Sequence, residues 1–463
     1  MRDRPGRPRG APAPGARASA RAARSDRRRA LSGLLGRLLG RADAPARGAA
    51  ESAAGAGLLP APVHGAALSD KDLPRVAITI LNFNGRHHLE RCFESLKALD
   101  YPRERLQVIL IDNASSDGSV EECRAKHAWV RLVVNERNVG FSAGCNQGAA
   151  LATDARIQVF LNNDMRVDPR WLRELVGPIV RGECAATTAK MFSWDGSVMN
   201  SCGGGMNFHG IGIQKGYEEK PAACYDQPAR SLFACGGAMA IDARVFADSG
   251  GFDEEFFAYY EDVDLGWRLW VLGHEIHYVP KAVCYHHHSS TSRTFPMETI
   301  RLLQVRNPIL ACFKNYSDEN LRKVFPAQLA LAMRRTLLVA GIGDDAPFRI
   351  ERVNPRAAGV VGHLWEKARH KVQETIPVRR EAVADLIGIN DLLGNWPHWV
   401  RRRAEVQARR KRLDEQIFPL FDKPFWCIES EQGYQDLHKG ASSFFGIDAL
   451  FTGLDSGRPD PRK

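Results

Sequence analysis

The stretch VAITILNFNG, Val76–Gly85, decides the fold. An apolar, β-rich run ends abruptly in Asn82-Phe83-Asn84-Gly85, and GRHHLERCFESLKAL behind it carries apolar residues at helical spacing. A strand apolar on both faces, closed by a polar turn and followed by a helix, is one unit of a parallel sheet covered on both sides. The unit recurs. LQVILID precedes a Ser/Asp/Gly turn and SVEECRAKH, RLVVN precedes GFSAGCNQGAALAT, and IQVFLN precedes PRWLRELVGPIV. Four buried strands alternating with helices predict an α/β fold with a mostly parallel sheet and helices on both faces.

Upstream of Val76 the composition changes. Residues 1–73 are rich in Arg, Ala, Pro and Gly and nearly devoid of aromatic residues, too little apolar surface to offset ordering entropy, so a disordered tail is expected. Its patch LSGLLGRLLGR reads either as part of that tail or as an Arg-rich helix on anionic lipid. Downstream, strand signals fade after about Asp318, and residues 318–463 read as a mainly helical C-terminal region, leaving 74–317 as the central domain. One long helix is expected from about His398 to Phe421, with Trp399, Val406, Leu413 and Leu420 in a single stripe and basic residues on its other faces. That stripe suits docking on the central domain or self-association as a homo-oligomer; the basic faces suit peripheral contact with an anionic membrane.

The chain has 463 residues, 44% hydrophobic and 25% charged, with a net charge of +10. Residues 1–50 carry roughly ten net positive charges, nearly all Arg. The remainder is close to neutral, which argues against specific nucleic-acid binding. Ten Cys without a Cys-x-x-Cys pair read as buried thiols in a reducing, cytoplasmic setting. No apolar run approaches the length of a membrane span; FPAQLALAMRRTLLVAGIG, with Arg334-Arg335 at its centre, reads as a packed helix.

Every strand of the sheet ends in polar residues. These are Asn82 to Gly85, Asp112-Asn113 through Gly118, Asn135 through Gly140 with Asn138 between, and Asn162-Asn163-Asp164. In an open α/β sheet ligands bind outside the carboxyl ends of the strands, so these four ends form a ligand crevice. Neither Gly-x-Gly-x-x-Gly nor a Walker loop follows the first strand, which excludes the usual dinucleotide and P-loop sites. Amides and single carboxylates suit a nucleoside base and ribose, and a strand-end Asp beside a diphosphate suits a divalent cation. VFLNNDMRV, Val159–Val167, poses a puzzle here: where an Asp-x-Asp metal motif would carry its first Asp, Asn162 stands.

The motifs ILNFNG, LIDNASSDGS, NVGFSAGCNQG, FLNNDMRV, CGGAMAI, GGFDEEFFAYYEDVDLGWRLWVLGH and YHHHSS, in this order over residues 76–290, resemble family 2 glycosyltransferases of the rhamnosyltransferase-like branch. The resemblance implies a single nucleotide-binding domain of the GT-A type. It implies that Asp112 contacts the base or ribose and that Asn84, Asn138 and Asn163 line the nucleotide pocket. Asp164 would hold a divalent cation, Mg²⁺ or Mn²⁺, on the sugar-nucleotide diphosphate. Asp262 would be the catalytic base, and a His after the catalytic helix would join the metal, His286 before His288 because alternate strand residues share a face. The implied partners are a nucleotide-sugar donor and a glycan, polysaccharide or lipid-linked acceptor. Inversion at the anomeric carbon needs a base on one face of the sugar and a stabilised leaving group on the other.

The same residues have plainer readings. Asp264 reads as a helix N-terminal charge, Trp267 and Arg268 as packing and pairing residues, His87 and His88 as exposed, and Cys235-Gly236-Gly237 as either close backbone approach to a ligand or a tight strand start. Two other functions remain open: a nucleotidyltransferase, for which the first strand lacks a basic, Gly-rich phosphate loop, and an inactive binding protein using the basic tail.

Overall fold

The computed structural model describes residues 62–287, 296–342 and 379–453. Val76–Asn82 (β1), Leu106–Asp112 (β2), Arg131–Val134 (β3) and Ile157–Asn162 (β4) pair in the order β3-β2-β1-β4, all parallel. Arg86–Lys97 (α1), Ser119–Lys126 (α2) and Gly140–Ala150 (α3) are the crossovers. Register carries the polar ends into line: Asn82 faces Asp112, and Leu81 faces Asn162. β1 is buried along nearly its whole length, as a strand covered on both faces must be. β3 departs from the expectation of four buried strands. It is the sheet edge, with Val134 43% exposed.

Past β4 the chain turns through Asn163-Asp164 into Met165–Val167 (β5), and Trp171–Val180 (α4) follows. Ala186–Ser193 (β6), Met199–Ser201 (β7), the ribbon Gly204–Met206 (β8) and Gly212–Gln214 (β9), Ala229–Arg230 (β10), Ala238–Asp242 (β11) and Ile276–His286 (β12) complete the strands. β11 inserts antiparallel between β4 and β6, and β12 runs parallel to β6. Ala243–Ser249 (α5) and Glu261–Val271 (α6) lie between β11 and β12.

The C-terminal region is helical as expected: Met297–Asn315 (α7), Asp318–Ala340 (α8), Arg380–Gly394 (α9), Trp396–Ala408 (α10) and Gln432–Phe444 (α11). It shares one core with the sheet, in which Phe160, Trp267 and Trp270 pack with Tyr316, Trp399, Phe421 and Tyr434. A second core under the other sheet face holds Ile78, Ile80, Phe93, Leu161 and Trp171. No described helix is long and apolar enough to cross a membrane.

Two expectations are corrected. The helix expected over 398–421 stops at Ala408. There Lys411 N–H donates to Val271 O at the end of α6, Arg412 reaches His274 O, and Arg410 binds Asp414, so residues 410–412 are tied down beside α6 instead of continuing the helix. Leu413 is 64% exposed and leaves the stripe, while Trp399 and Val406 dock in the core. The expected tail end also differs. Residues 62–73 lie on the domain, with Leu73 buried and the carbonyls of Ala66, Leu68 and Asp70 bound by Arg181, Arg173 and Arg105. The rest of the tail, the LSGLLGRLLGR patch included, lies outside the described residues.

Candidate active site

At the carboxyl ends of β1, β2 and β4 lies a cleft of ≈ 670 Å³. Asn113, Asn138, Asn162, Asn163 and Asp164 line it from the sheet, Asp262 and Glu261 from α6, and His286 from β12.

One wall is built by strand pairing. β5 runs antiparallel to β12 with His286 opposite Met165, which carries the imidazole to the residue before it. His286 Nε2 stands 3.3 Å from Asp164 Oδ1, and its Nδ1 is 3.0 Å from Asn200 Oδ1. An amide on the second ring nitrogen orients the ring, as outer partners of ligating His do. His287 turns away, stacking on Trp194 at 4.2 Å, while its N–H donates to Asp164 O. His288 lies outside the described residues. The amphipathic α1 packs beneath this wall on His88, Leu89, Cys92, Phe93 and Leu96. His88 is therefore buried, against the expectation that His87 and His88 are both exposed; only His87 is. Burial first, then His87, lower the His88 imidazole to about 4, with Asp164 acting in the opposite sense. Among the described residues no three His, Cys, Asp or Glu side chains are grouped to hold a cation by themselves.

The β1–β2 end of the cleft is an amide lattice. Asn163 Nδ2 donates to Asn82 Oδ1 (2.7 Å), and Asn82 Nδ2 donates to Asp112 Oδ2 (2.8 Å). Gly85 is required beside this link, since a Cβ there would stand 2.1 Å from Asn163 Nδ2. Asp112 is fully buried, also accepts Ser115 N–H, and does not line the cleft. Asn84, at φ 53°, accepts Ser116 N–H and likewise stands outside the lining. Asn138 and Asn163 do line it, together with Asn113, whose Nδ2 donates to Asn138 Oδ1 and Gly140 O. Asn113 was not singled out in the sequence. The available signal was alternation: where Asp112 faces Asn82, the next residue projects the other way.

The second wall is a strained loop. Phe257, Tyr259 and Tyr260 all have left-handed backbones, at φ 61°, 66° and 67°. Each such residue costs on the order of 1–3 kcal/mol and persists only when its surroundings enforce it. Asn307 of α7 supplies the enforcement. Its Nδ2 donates to Phe256 O (3.0 Å), Ala258 O (3.0 Å) and Tyr259 O (2.7 Å), and Arg306 beside it reaches Glu255 O. Phe257 O accepts N–H groups from Phe141 and Ser142 at the start of α3, where Gly140, at φ 88°, leaves no room for a Cβ. Nothing local in the sequence marked Asn307, which lies about 50 residues beyond the carbonyls it binds.

This loop delivers Asp262 into the first turn of α6. Asp262 Oδ2 accepts Gly236 N–H (2.9 Å) and Oδ1 accepts Val263 N–H (2.8 Å). The glycine pair thus brings backbone close to the carboxylate itself. Burial raises the Asp262 pKa, against the pull of these N–H donors. Glu261 is raised much further, by burial and then by Asp262, and its Oε2 has no hydrogen-bond partner among the described residues. Burial raises both carboxyls of this pair, Glu261 the further because it also faces Asp262, while the Gly236 and Val263 N–H donors hold Asp262 down. Asp264, read as an N-terminal charge, instead forms a buried network with Lys314, Arg268 and Asn315 behind the helix. Trp267 packs and Arg268 pairs, as expected.

The family model for glycosyl transferase family 2 matches residues 77–220. An N-acetylglucosaminyl-diphospho-decaprenol L-rhamnosyltransferase of Mycobacterium tuberculosis is 30% identical over 260 residues, covering 48% of this chain and 78% of that protein. The O-antigen biosynthesis protein RfbC of Myxococcus xanthus is 31% identical over 231 residues, 48% of this chain and 18% of that one. Among solved structures, GalNAc-T7 with UDP, GalNAc and Mn²⁺ aligns at TM-score 0.45 and 19% identity, over 59% of this chain and 52% of that one.

Proposed function

The chain belongs to glycosyl transferase family 2, in its rhamnosyltransferase-like branch, and from that premise we propose that it moves a sugar, with inversion, from a nucleoside-diphosphate donor to an acceptor hydroxyl. The observation that carries the reading is the division of charge across one cleft: Asp262 on the helix wall, and Asp164 with His286 on the strand wall. Similarity to the mycobacterial rhamnosyltransferase supports L-rhamnose as the sugar and a glycan or lipid-linked hydroxyl as the acceptor.

In this reading Asn113, Asn138 and Asn163 receive the nucleoside, with Asn84 and Asp112 bracing the loop behind them. Asp262 takes the proton from the acceptor hydroxyl as it attacks the anomeric carbon. Its raised pKa suits that task, since a base is most effective when its pKa approaches the working pH. The departing diphosphate leaves toward Asp164 and His286. A carboxylate oxygen and an oriented imidazole nitrogen converge there, a donor set that fits Mg²⁺ or Mn²⁺, and a bound cation would neutralise charge on the leaving group. Asn162 is then no missing ligand, because the diphosphate brings oxygens of its own.

The test is a panel of nucleoside-diphosphate sugars with Mg²⁺ or Mn²⁺, scored for nucleoside diphosphate release and for the anomeric configuration of the product. Release from a rhamnose donor with an inverted product is expected. A retained configuration removes the inverting mechanism. Pyrophosphate release from a nucleoside triphosphate, with every sugar nucleotide inert, would establish a nucleotidyltransferase instead.

A further inference from the structure

The strand ends, the Asp164–His286 wall and the Asp262 wall do not close the cleft by themselves. A further side comes from α7, where Met297, Ile300 and Gln304 line the cleft at helical spacing. The same face continues one turn on to Asn307, whose amide holds the loop running into Asp262. α7 therefore meets the cleft on the Asp262 side, where an acceptor hydroxyl has to approach. It also lies beyond residues 77–220, the part that the family model matches.

The faces of α7 divide by chemistry. Arg301 and Arg306 are turned to α9, on Asp385 and Asp391. The three residues that line the cleft carry no charge: a thioether, a branched alkyl group and an amide. Gln304 is half-buried and Ile300 is buried, whereas Met297, the first residue of the helix, is 65% exposed. The stripe thus runs from an amide inside the cleft to an apolar side chain open to solvent at its mouth. A ligand that matches this order is hydroxylated where it meets Gln304 and apolar where it passes Met297. An amide both donates to a hydroxyl and accepts from one. Nothing on this face offsets the desolvation of a phosphate or carboxylate, and apolar area laid over Ile300 and Met297 leaves water.

We propose that Gln304, with Ile300 and Met297, forms the acceptor subsite of the cleft, and that this subsite selects an uncharged sugar carrying an apolar aglycone. The proposal rests on the transferase reading given above and adds the class of acceptor to it. Gln304 hydrogen-bonds a hydroxyl of the acceptor sugar other than the one that attacks. Ile300 and Met297 cover the start of the apolar chain.

The experiment uses the full-length protein, the sugar nucleotide and cation that the donor panel identifies, and two acceptor series: octyl and methyl glycosides of glucose, galactose, mannose, rhamnose and N-acetylglucosamine. Product is followed by mass spectrometry, KM is measured for donor and acceptor separately, and each variant is melted. An octyl glycoside is expected to be glycosylated with a KM at least about 10-fold below that of its methyl counterpart. Gln304→Ala is expected to raise acceptor KM about 3–10-fold in both series, while donor KM stays within about twofold of wild type. Met297→Ser, at an exposed position where folding is not at stake, is expected to narrow the octyl–methyl difference and leave the methyl series unchanged. Equal KM in the two series, or no octyl glycoside accepted by a protein that does cleave the donor, overturns the proposal and leaves the transferase reading in place. A Gln304→Ala protein with unaltered acceptor KM, or with donor KM raised as much as acceptor KM, overturns it too. A wild type that releases nucleoside diphosphate from no sugar nucleotide, with or without these acceptors, removes the transferase reading and the subsite with it.

Discussion

The two walls of the cleft are held by different means. The Asp164–His286 wall is fixed by strand register: β5 against β12 leaves the carboxylate and imidazole 3.3 Å apart. The Asp262 wall is a loop and a helix start, tied to the sheet through Gly236 before β11. Its three left-handed residues are imposed from outside, by Asn307 and Arg306 of α7 and by the first N–H groups of α3. α7 is in turn tied to α9 by Arg301, which holds Asp385 through two bonds, and by Arg306 on Asp391. The difference teaches that the Asp164–His286 side is set by strand register, while the Asp262 side depends on the helical C-terminal region.

The largest effect should come from Asp262, the proposed base. Asp262→Asn keeps the shape but takes no proton, and its single amide oxygen accepts only one of the Gly236 and Val263 N–H groups. kcat should fall about 10²–10⁴-fold, with donor KM near wild type and a melting temperature lowered by the one unpaired N–H. A variant that folds and turns over normally would end the assignment of Asp262.

Asn307→Ala tests the dependence of that wall on the helices. It removes the two N–H donors that the Phe256, Ala258 and Tyr259 carbonyls share, about 1 kcal/mol for each hydrogen bond, and loosens the strained loop. kcat should drop at least about 10-fold, because small misplacements of a reacting group are expensive. Mn²⁺ binding at Asp164 should be unchanged. If Asn307→Ala weakened Mn²⁺ binding as strongly as turnover, the two walls would not be separable.

This asymmetry also explains what could be read from the chain. The α/β class, the parallel strands and the polar rim follow from local apolar runs and the turns after them, and VAITILN-NFNG shows each within ten residues. Which rim residue faces the cleft was less legible. Asp112 stands out chemically, yet strand register turns it into the Asn82 lattice and leaves Asn113 at the cleft. Asn307 and His88 were not legible at all. One acts on carbonyls far back in the chain, and the other is an ordinary helix position until the Asn162–Asp164 turn packs above it. The long helix expected to Phe421 failed for the same reason, since its basic residues found carbonyls that only the folded α6 presents.

A smaller effect separates the two carboxyls on the helix wall. Burial and the neighbouring Asp262 raise the Glu261 pKa in the fold, whereas the unfolded chain ionises near about pH 4.3. Its contribution to stability is therefore complete below that value and is lost as pH rises through the higher folded pKa. Glu261→Gln, which stays neutral, should raise the melting temperature at pH 8 and leave it nearly unchanged at pH 4. The acid limb of kcat should stay above the usual carboxylate range, because Asp262 is raised chiefly by burial. A limb that falls to ordinary carboxylate values in Glu261→Gln would mean that the two groups share the proton.

The smallest change expected is at the residue that made VFLNNDMRV look deficient. Asn162 lines the cleft next to the Asp164 turn, and its backbone N–H is already paired with Gly237 O. Restoring a carboxylate by Asn162→Asp adds charge to a wall whose cation shell the diphosphate can complete, so turnover should stay within about threefold of wild type, a difference of under 1 kcal/mol. Mn²⁺ affinity should rise slightly, in contrast to its loss in Asp164→Ala. Were Asn162→Asp to raise turnover tenfold or more, the cation site would be short of a ligand after all, and the strand wall would be the weaker of the two.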